Sequence, residues 1–180
     1  STARTSRVPG LTSTEEKEVI EIGLQLSRNY DHIYLMFFND AYFDFVKSWI
    51  CNIRLVEAGI LDQTLFVAAD AGAEQKLREF EPAASMYCQH GDMHQDLVYG
   101  THSYFRITLD RLYIQNALLQ HGINVFVVEA DATWFSPVAE YVADLQMDGS
   151  TIVSADDRGG GRPLISAGFL YFPWKLRRFF

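Results

Sequence analysis

The stretch Ile123-Asn124-Val125-Phe126-Val127-Val128-Glu129-Ala130-Asp131 is the part of the chain that most directly indicates the fold. Its apolar run, residues 123–128, is nearly continuous instead of alternating with polar residues, which predicts a strand buried on both faces of a sheet. A segment with helical spacing at 103–120 precedes it and stops before Gly122. A long helix followed by a buried strand predicts an α/β domain with a mostly parallel sheet.

The same pattern extends in both directions along the chain. Apolar runs predict further strands at 32–38, 64–69, 151–155 and 167–172. Helical spacing and start signals predict helices at 13–29, with Ser13 or Thr14 as the cap, and at 42–58, 74–80 and 138–145. The polar stretch 82–100 has no assignable element. Residues 1–12 are expected to form a flexible lead-in, and 13–180 a single domain.

Composition and charge exclude several functional classes. The chain is 48% hydrophobic and 21% charged, which is normal for a packed core. Its net charge of -8 argues against a nucleic-acid or anionic membrane surface, although a divalent cation can still recruit an anionic ligand locally. No apolar run approaches the roughly 20 residues of a membrane span. Cys51 and Cys88 are interpreted as buried thiols, with a disulfide as the alternative.

Polar residues follow four of the predicted strands: Asn39-Asp40, Asp70, Glu129 with Asp131, and Asp156-Asp157. In parallel α/β sheets ligands collect at the carboxyl ends of strands, so these residues are candidates for one binding site. Asp and Asn also favour turns, which is an equally good explanation of their position. Strand-end position alone leaves both interpretations open.

Glu129 and Asp131 are the strongest candidates for metal ligands. If the backbone stays extended after the strand, residues two apart point to the same side. Two carboxylates then offer the oxygen ligands that Mg²⁺ and Mn²⁺ prefer. The aromatic pair Trp134-Phe135 that follows is expected to pack beneath the sheet.

Several ordered segments resemble the nucleotide-diphospho-sugar transferase family, which includes the plant rhamnogalacturonan xylosyltransferases. They include Phe37-Phe38-Asn39-Asp40-Ala41-Tyr42-Phe43-Asp44-Phe45, Trp49-Ile50-Cys51-Asn52 and Phe66-Val67-Ala68-Ala69-Asp70 near the start of the chain. Segments 111–122, 129–131, 134–137, 151–156 and 166–172 continue the match in the same order. The resemblance covers roughly 33–172.

This resemblance implies a glycosyltransferase of the GT-A type, with a Rossmann-like nucleotide-binding part and an acceptor-binding part. The expected donor is a nucleotide-sugar, most often a UDP-sugar, and the expected acceptor is a hydroxyl of a glycan or glycoprotein. The expected cofactor is Mn²⁺ or Mg²⁺. Family members usually work in the Golgi lumen as type II membrane proteins, with an anchor that would lie outside these residues. The family domain normally continues further, which implies truncation at the C-terminus and an incomplete acceptor part here.

Carried over by position, Glu129 and Asp131 replace the family's Asp-x-Asp as a DXD-like motif. Asp131 is the preferred metal ligand because Glu129 is the departure from that motif. Asn39 and Asp70 correspond to residues at the nucleotide. Arg111 corresponds to a basic helix position facing the donor. Arg106 on the same predicted helix is the alternative. Arg111 could equally be a surface charge of the helix that pairs with an acid.

Two later segments would complete the site. Asp156 is expected either to contact the donor sugar or acceptor or to cap a turn. Ser166 and Gly168 lie in a segment that commonly begins with Asn in the family, and they are expected near the sugar. No residue is identified as the catalytic base. The alternative function is a non-catalytic nucleotide-binding or interaction domain that retains the GT-A fold.

Overall fold

The structure is a computed structural model that describes residues 11–89, 100–138, 153–157 and 164–179. The α-helices are α1 (Ser13–Ser27), α2 (Phe43–Val56), α3 (Gly59–Asp62), α4 (Ala71–Phe80) and α5 (His102–Gln120). The strands are β1 (Ile33–Phe38), β2 (Thr64–Ala68), β3 (Ser85–Cys88), β4 (Val125–Val128), β5 (Val153–Asp157) and β6 (Leu164–Phe172). Short 3-10 helices span Asp40–Tyr42 and Trp174–Phe179.

These strands form one sheet in the order β3-β2-β1-β4-β6-β5. The first four are parallel, with β1 paired to β2 on one side and to β4 on the other. β6 runs antiparallel to both β4 and β5. This is the mixed α/β, mostly parallel and Rossmann-like architecture predicted from the sequence.

The continuous apolar runs are explained by two cores, one on each face of the sheet. Along β1, Tyr34, Met36 and Phe38 belong to a core that includes residues of α2 and α4. The alternate residues Ile33 and Leu35 belong to a second core with residues of α1 and α5. A fully buried large apolar side chain contributes about 1.5–3 kcal/mol to the free energy of folding. Burial of side chains on both faces of β1 therefore strongly favours its position in the middle of the sheet.

Two differences in predicted boundaries, and one strand that was not predicted, have local explanations. Thr12 caps α1 instead of Ser13 or Thr14, because it forms a reciprocal capping box with Glu15. α4 begins at Ala71 and not at 74, because Asp70 caps it. β3 lies in the stretch without a prediction, where only a few apolar residues, including Met86, signal a strand within polar sequence.

The antiparallel edge of the sheet is longer than predicted and projects past β4. Val128, the last residue of β4, pairs with Phe169, so 164–168 of β6 extend beyond the carboxyl end of β4. Five residues of strand correspond to about 17 Å. Asp156 on β5 pairs with Ile165 in this projecting part. The backbone at Asp156, Ser166 and Gly168 therefore lies at the same end of the sheet as the residues that follow β4.

Other sequence expectations have mixed outcomes. Cys51 and Cys88 do not form a disulfide, and Cys88 is buried as expected while Cys51 is exposed. Within the described ranges, no helix combines the length and apolarity needed to cross a membrane. The predicted helix at 138–145 lies almost wholly outside the described residues, as does most of the lead-in 1–12.

Candidate functional site

A cavity of about 260 Å³ opens at the carboxyl ends of β1 and β4, beside the first half of α5. We call it the strand-end cavity. Its walls come from β1 and the following turn, from one face of α5, and from the residues after β4. The lining residues are Phe37, Phe38, Asn39, Tyr42, Tyr104, Ile107, Thr108, Arg111, Glu129, Ala130 and Asp131.

The topology of the sheet explains why a cavity forms here. The chain leaves β1 for β2 on one side and later returns to β4 on the other side. Where the strand order reverses in this way, the connections after neighbouring strands diverge and leave a crevice at their carboxyl ends. Asn39 and Glu129 each follow one of the two strands that flank this crevice.

The residues after β4 form a turn instead of continuing the strand. The Ala132 backbone N–H donates to the Glu129 carbonyl oxygen at 3.3 Å. We call residues 129–132 the acid turn. The expectation that extended backbone aligns the two acids is therefore wrong. Instead, Ala130 is buried in the core, and the exposed residues Glu129 and Asp131 on either side of it both line the cavity.

Arg111 faces the acid turn across the cavity. Its Nη1 lies 3.5 Å from Glu129 Oε1, a long contact between side chains that are 20% and 47% exposed. Such partly exposed pairs contribute little to stability, so the guanidinium can exchange this partner for another anion at low cost. Arg106, the alternative on the same helix, is outside the cavity lining as far as the described residues define it.

Asn39 lies in the cavity wall and also shapes it. It is fully buried, and its Oδ1 accepts a hydrogen bond from the Tyr42 backbone N–H at 3.2 Å. This contact caps the 3-10 helix Asp40–Tyr42 and fixes where Tyr42 enters the cavity wall. The structure therefore places Asn39 at the predicted site with a structural contact of its own.

Asp70 has a different environment from the one expected at a nucleotide. It is fully buried, its Oδ1 accepts from the Ala73 backbone N–H at 2.9 Å, and its Oδ2 accepts from the Asp40 N–H at 3.0 Å. A Cβ on Gly72 would come within 2.8 Å of Asp40 Oδ1, so a larger residue there would displace the Asp40 side chain. Asp40 also bonds to Lys76 and raises the pKa of that amine. Asp70 caps α4 and fastens the end of β1 to it.

Two aromatic cavity residues, Tyr42 and Tyr104, were not predicted from the sequence. The Tyr42 ring lies 5.6 Å from that of Phe45, and both rings are partly exposed. On α5, Tyr104 and Arg111 are seven residues apart on one helical face, a separation of about 10 Å along the axis. This spacing is the sequence feature that could have predicted Tyr104, because it places an aromatic residue and a cation on the face of α5 that lines the cavity.

The residues after the acid turn divide between core and solvent. Trp134 is 6% exposed and packs in the core as predicted. Phe135 is 92% exposed, so the expectation that it packs beneath the sheet is wrong. The side chains of Asp156 and Ser166 are not among those described, and Gly168 is described only as a strand position.

The donor atoms at the acid turn fit a hard divalent cation in part. No group of three or more His, Cys, Asp or Glu side chains suited to a metal occurs in the described parts of the chain. Glu129 and Asp131 nevertheless supply two carboxylates to one cavity. Mg²⁺ is commonly held by one or two carboxylates, with waters and substrate phosphates completing its shell. The residues present therefore fit a cation that is shared with a phosphorylated ligand.

Comparison with known proteins identifies the family. A family model described as nucleotide-diphospho-sugar transferase matches residues 59–171, more than half of the chain. The matched range includes α5, β4 and the acid turn. No curated protein and no solved structure matches the chain. The match is at the level of the family, and the closer resemblance to xylosyltransferases stays a prediction. With this fold and this matched range, the chain belongs to the nucleotide-diphospho-sugar transferase family.

Proposed function

We propose that this domain is a metal-dependent glycosyltransferase that moves a sugar from a UDP-sugar to a hydroxyl of a glycan or glycoprotein. One observation supports it most directly. Arg111, Glu129 and Asp131 line a single cavity at the crevice between β1 and β4, within the part of the chain that the family model matches.

Charge explains why a cation belongs in this proposal. The chain carries a net charge of -8, and two of its acids face the cavity. A diphosphate entering beside Glu129 and Asp131 would be repelled, since two unit charges 4 Å apart interact by about 4 kcal/mol near a protein surface. Arg111 offsets only part of this. Mn²⁺ or Mg²⁺ between the acids and the diphosphate would turn the repulsion into attraction.

The aromatic part of the cavity suits the nucleoside. Tyr42 and Tyr104 present rings to the same cavity as Arg111. Base stacking on aromatic side chains contributes about 1–3 kcal/mol per base. The separation of about 10 Å along α5 between Tyr104 and Arg111 is comparable with the span from a nucleobase to its second phosphate. We therefore place the base towards Tyr104 and the diphosphate towards Arg111.

The chemistry is set by this orientation. A bound divalent cation would act as a Lewis acid on the departing diphosphate. Arg111 would donate hydrogen bonds to phosphate oxygens, a geometry for which guanidinium is well suited. Glu129 and Asp131 would hold this cation, and the donor's anomeric carbon would lie next to the diphosphate that the cation binds. The acceptor oxygen forms the new bond to that carbon as the bond to diphosphate breaks, and the hydroxyl proton passes to a base.

Titration calorimetry with UDP, GDP and CDP, with and without Mn²⁺, tests the proposal. We expect UDP to bind most tightly, and more tightly with Mn²⁺. Arg111→Ala should weaken UDP binding by about tenfold, equivalent to 1.4 kcal/mol. Arg28→Ala, a matched change at an exposed position after α1, should leave it unchanged. Failure of all three nucleotides to bind under any condition would contradict the proposal.

The second candidate is a non-catalytic domain that binds a nucleotide. It is favoured by Glu129, which replaces the first acid of the family motif and already contacts Arg111. Nuclear magnetic resonance of UDP-sugars incubated with the protein and Mn²⁺ separates the two functions. Release of the sugar to water or to an added glycan supports the enzyme, whereas tight binding with no turnover of any donor supports the alternative.

A further inference from the structure

The chain after the acid turn is held by helix α2, which supplies none of the described residues that line the strand-end cavity. The Asn52 side chain donates from Nδ2 to the Trp134 carbonyl oxygen at 2.9 Å. It also accepts at Oδ1 from the Trp134 backbone N–H at 2.8 Å. Both ends of one amide are thus bonded to one residue, an arrangement that needs a donor and an acceptor on the same side chain, as in Asn or Gln.

A second contact from α2's carboxyl end holds the same loop four residues later. The Val138 backbone N–H donates to Glu57 Oε2 at 2.8 Å. Glu57 lies at the end of α2 and Asn52 lies within the helix, so one rigid element supports the loop at two points. Since loop backbone needs hydrogen-bond partners that secondary structure does not supply, these side chains replace a strand ladder.

The Trp134 side chain adds packing to these hydrogen bonds. Its ring contacts Trp49 of α2 at 6.0 Å, Tyr34 of β1 at 5.9 Å and Phe169 of β6 at 5.7 Å between centroids. All three contacts are edge-on or nearly so, a favourable geometry for aromatic rings. Trp134 therefore joins α2 to the centre of the sheet.

Trp134 follows Asp131 by only three residues, which limits their separation to about 10 Å. On the other side of the acid turn, Val128 is paired with both Met36 and Phe169 in the sheet. The turn is therefore fixed at both ends, by the sheet before it and by α2 after it. Both acidic residues are exposed and are not held by core packing, so the position of the turn backbone sets the region that their carboxylates can reach.

We infer that Asn52 is a positioning residue that sets the acid turn for binding of the cation and diphosphate. The inference rests on the proposed function for the identity of this ligand. Residues that orient metal ligands without touching the metal typically change affinity by about 10–100-fold when they are replaced. Asn52 acts less directly, because it holds the backbone of Trp134, three residues after Asp131, so we expect an effect at the lower end of this range.

Asn52→Asp gives the sharpest test because it keeps the size of the side chain. The carboxylate can still accept from the Trp134 N–H, but it cannot donate to the Trp134 carbonyl and would repel it. Asn116→Asp is the matched control, since Asn116 Oδ1 accepts an exposed contact from Gln120 at 3.3 Å. Glu57→Ala breaks the second contact and provides a separate variant if Asn52→Asp does not fold.

The anchoring of the loop by Asn52 can be tested separately from its effect on the proposed ligand. Hydrogen exchange followed by mass spectrometry, without ligand, should show faster exchange across 129–138 in Asn52→Asp and not in Asn116→Asp. Electron paramagnetic resonance of Mn²⁺ with UDP should show about tenfold weaker Mn²⁺ binding, while UDP affinity measured in a chelator stays at the wild-type value. If Asn52 only stabilised the fold, Asn52→Asp would weaken UDP binding in the chelator as well as in the presence of Mn²⁺.

The outcomes are distinguishable. If wild-type protein binds no nucleotide, the proposed function fails, and so does the part of the inference that concerns the ligand. Unchanged exchange across 129–138 in Asn52→Asp would overturn the anchoring itself. Faster exchange together with unchanged Mn²⁺ affinity would overturn the positioning role and leave Asn52 as a contributor to stability alone.

Discussion

The ends of β2 and β4 look alike in sequence and differ in use. Each is a buried parallel strand with an aspartate two or three residues beyond its end. Asp70 after β2 is fully buried and accepts hydrogen bonds from two backbone N–H groups. Asp131 after β4 is exposed and lines the strand-end cavity. One aspartate completes a helix terminus, and the other is available to a ligand.

The element after each strand accounts for this difference. α4 begins at Ala71, and the Asp70 carboxylate accepts a hydrogen bond from the Ala73 N–H, one of the helix's otherwise unpaired donors. No helix begins within 129–138 in the described part of the loop, so no helix terminus competes for Glu129 or Asp131. The lesson is that an acid at a strand end is a cap when a helix starts at once and a candidate ligand when it does not.

The largest expected effect on stability comes from Asp70→Ala. Losing an N-cap costs about 1–2 kcal/mol, and leaving a second buried N–H unsatisfied costs about 1–3 kcal/mol, so we expect a loss of about 3 kcal/mol. Urea unfolding followed by circular dichroism measures it, with Asp62→Ala on the short helix α3 as control. If Asp70→Ala were as stable as wild type but did not bind UDP, Asp70 would be a ligand contact and the comparison would fail.

Asp131→Asn should give the opposite result at the other strand end. Removing a charge that we propose as a ligand of the cation should weaken Mn²⁺-dependent UDP binding by about 100-fold, equivalent to about 2.7 kcal/mol. Because Asp131 is exposed, we expect stability to change by less than about 0.5 kcal/mol. Calorimetry and thermal unfolding of the same samples measure both quantities. Asp44→Asn, at an exposed position on α2, should change neither.

His32 extends the comparison of the two aspartates to a polar residue just before a strand. It neither caps a helix nor lines the strand-end cavity. Burial lowers its pKa to about 4, opposed by the charge of Asp31. The unfolded chain takes up the proton below about pH 6.5, so stability falls as pH falls from 6.5 towards 4, by about 2 kcal/mol at pH 5.

Urea unfolding at pH 7, 6 and 5 measures this effect. His32→Gln should lose less stability than wild type over that interval, because its unfolded state has no imidazole to protonate at this position. Parallel pH profiles for the two proteins would show that the burial of His32 does not govern acid stability.

The smallest expected effect comes from Glu129→Gln. The change removes one carboxylate but also takes the charge out of its 3.5 Å contact with Arg111, so Arg111 is more available to the proposed diphosphate. We expect Mn²⁺-dependent UDP affinity to fall by only about threefold, or about 0.6 kcal/mol. A loss as large as that of Asp131→Asn, measured by the same calorimetry, would show that the two acids act equally.

Much of the fold could be predicted from the sequence because burial on both faces leaves a continuous apolar signal. β1, β2 and β4 are confirmed within two residues of their predicted bounds. β3 was missed because its short apolar run sits in a polar stretch and its position is determined by pairing with β2. A contact between distant segments of this kind has no local signature.

The candidate site could be predicted less completely. Asn39 and both acids of the acid turn line one cavity, as the strand-end argument expects, and Arg111, which was expected from the family resemblance, lines it too. The cap formed by Asp70 was within reach, since a helix start directly after an aspartate is a recognised signal. The sequence could not show that Tyr42 and Tyr104 line one cavity, because this depends on how α5 lies across the sheet.

The long reach of the Asn52 contact has a consequence for folding kinetics. Asn52 and Trp134 are separated by 82 residues, and Glu57 and Val138 by 81. Contacts across so much chain close late, after the nearby strand and helix pairs have formed, because their loop entropy is recovered only when both partners are already ordered. We therefore expect the anchored loop to be absent from the folding transition state, so that loosening it speeds unfolding and leaves the refolding rate almost unchanged.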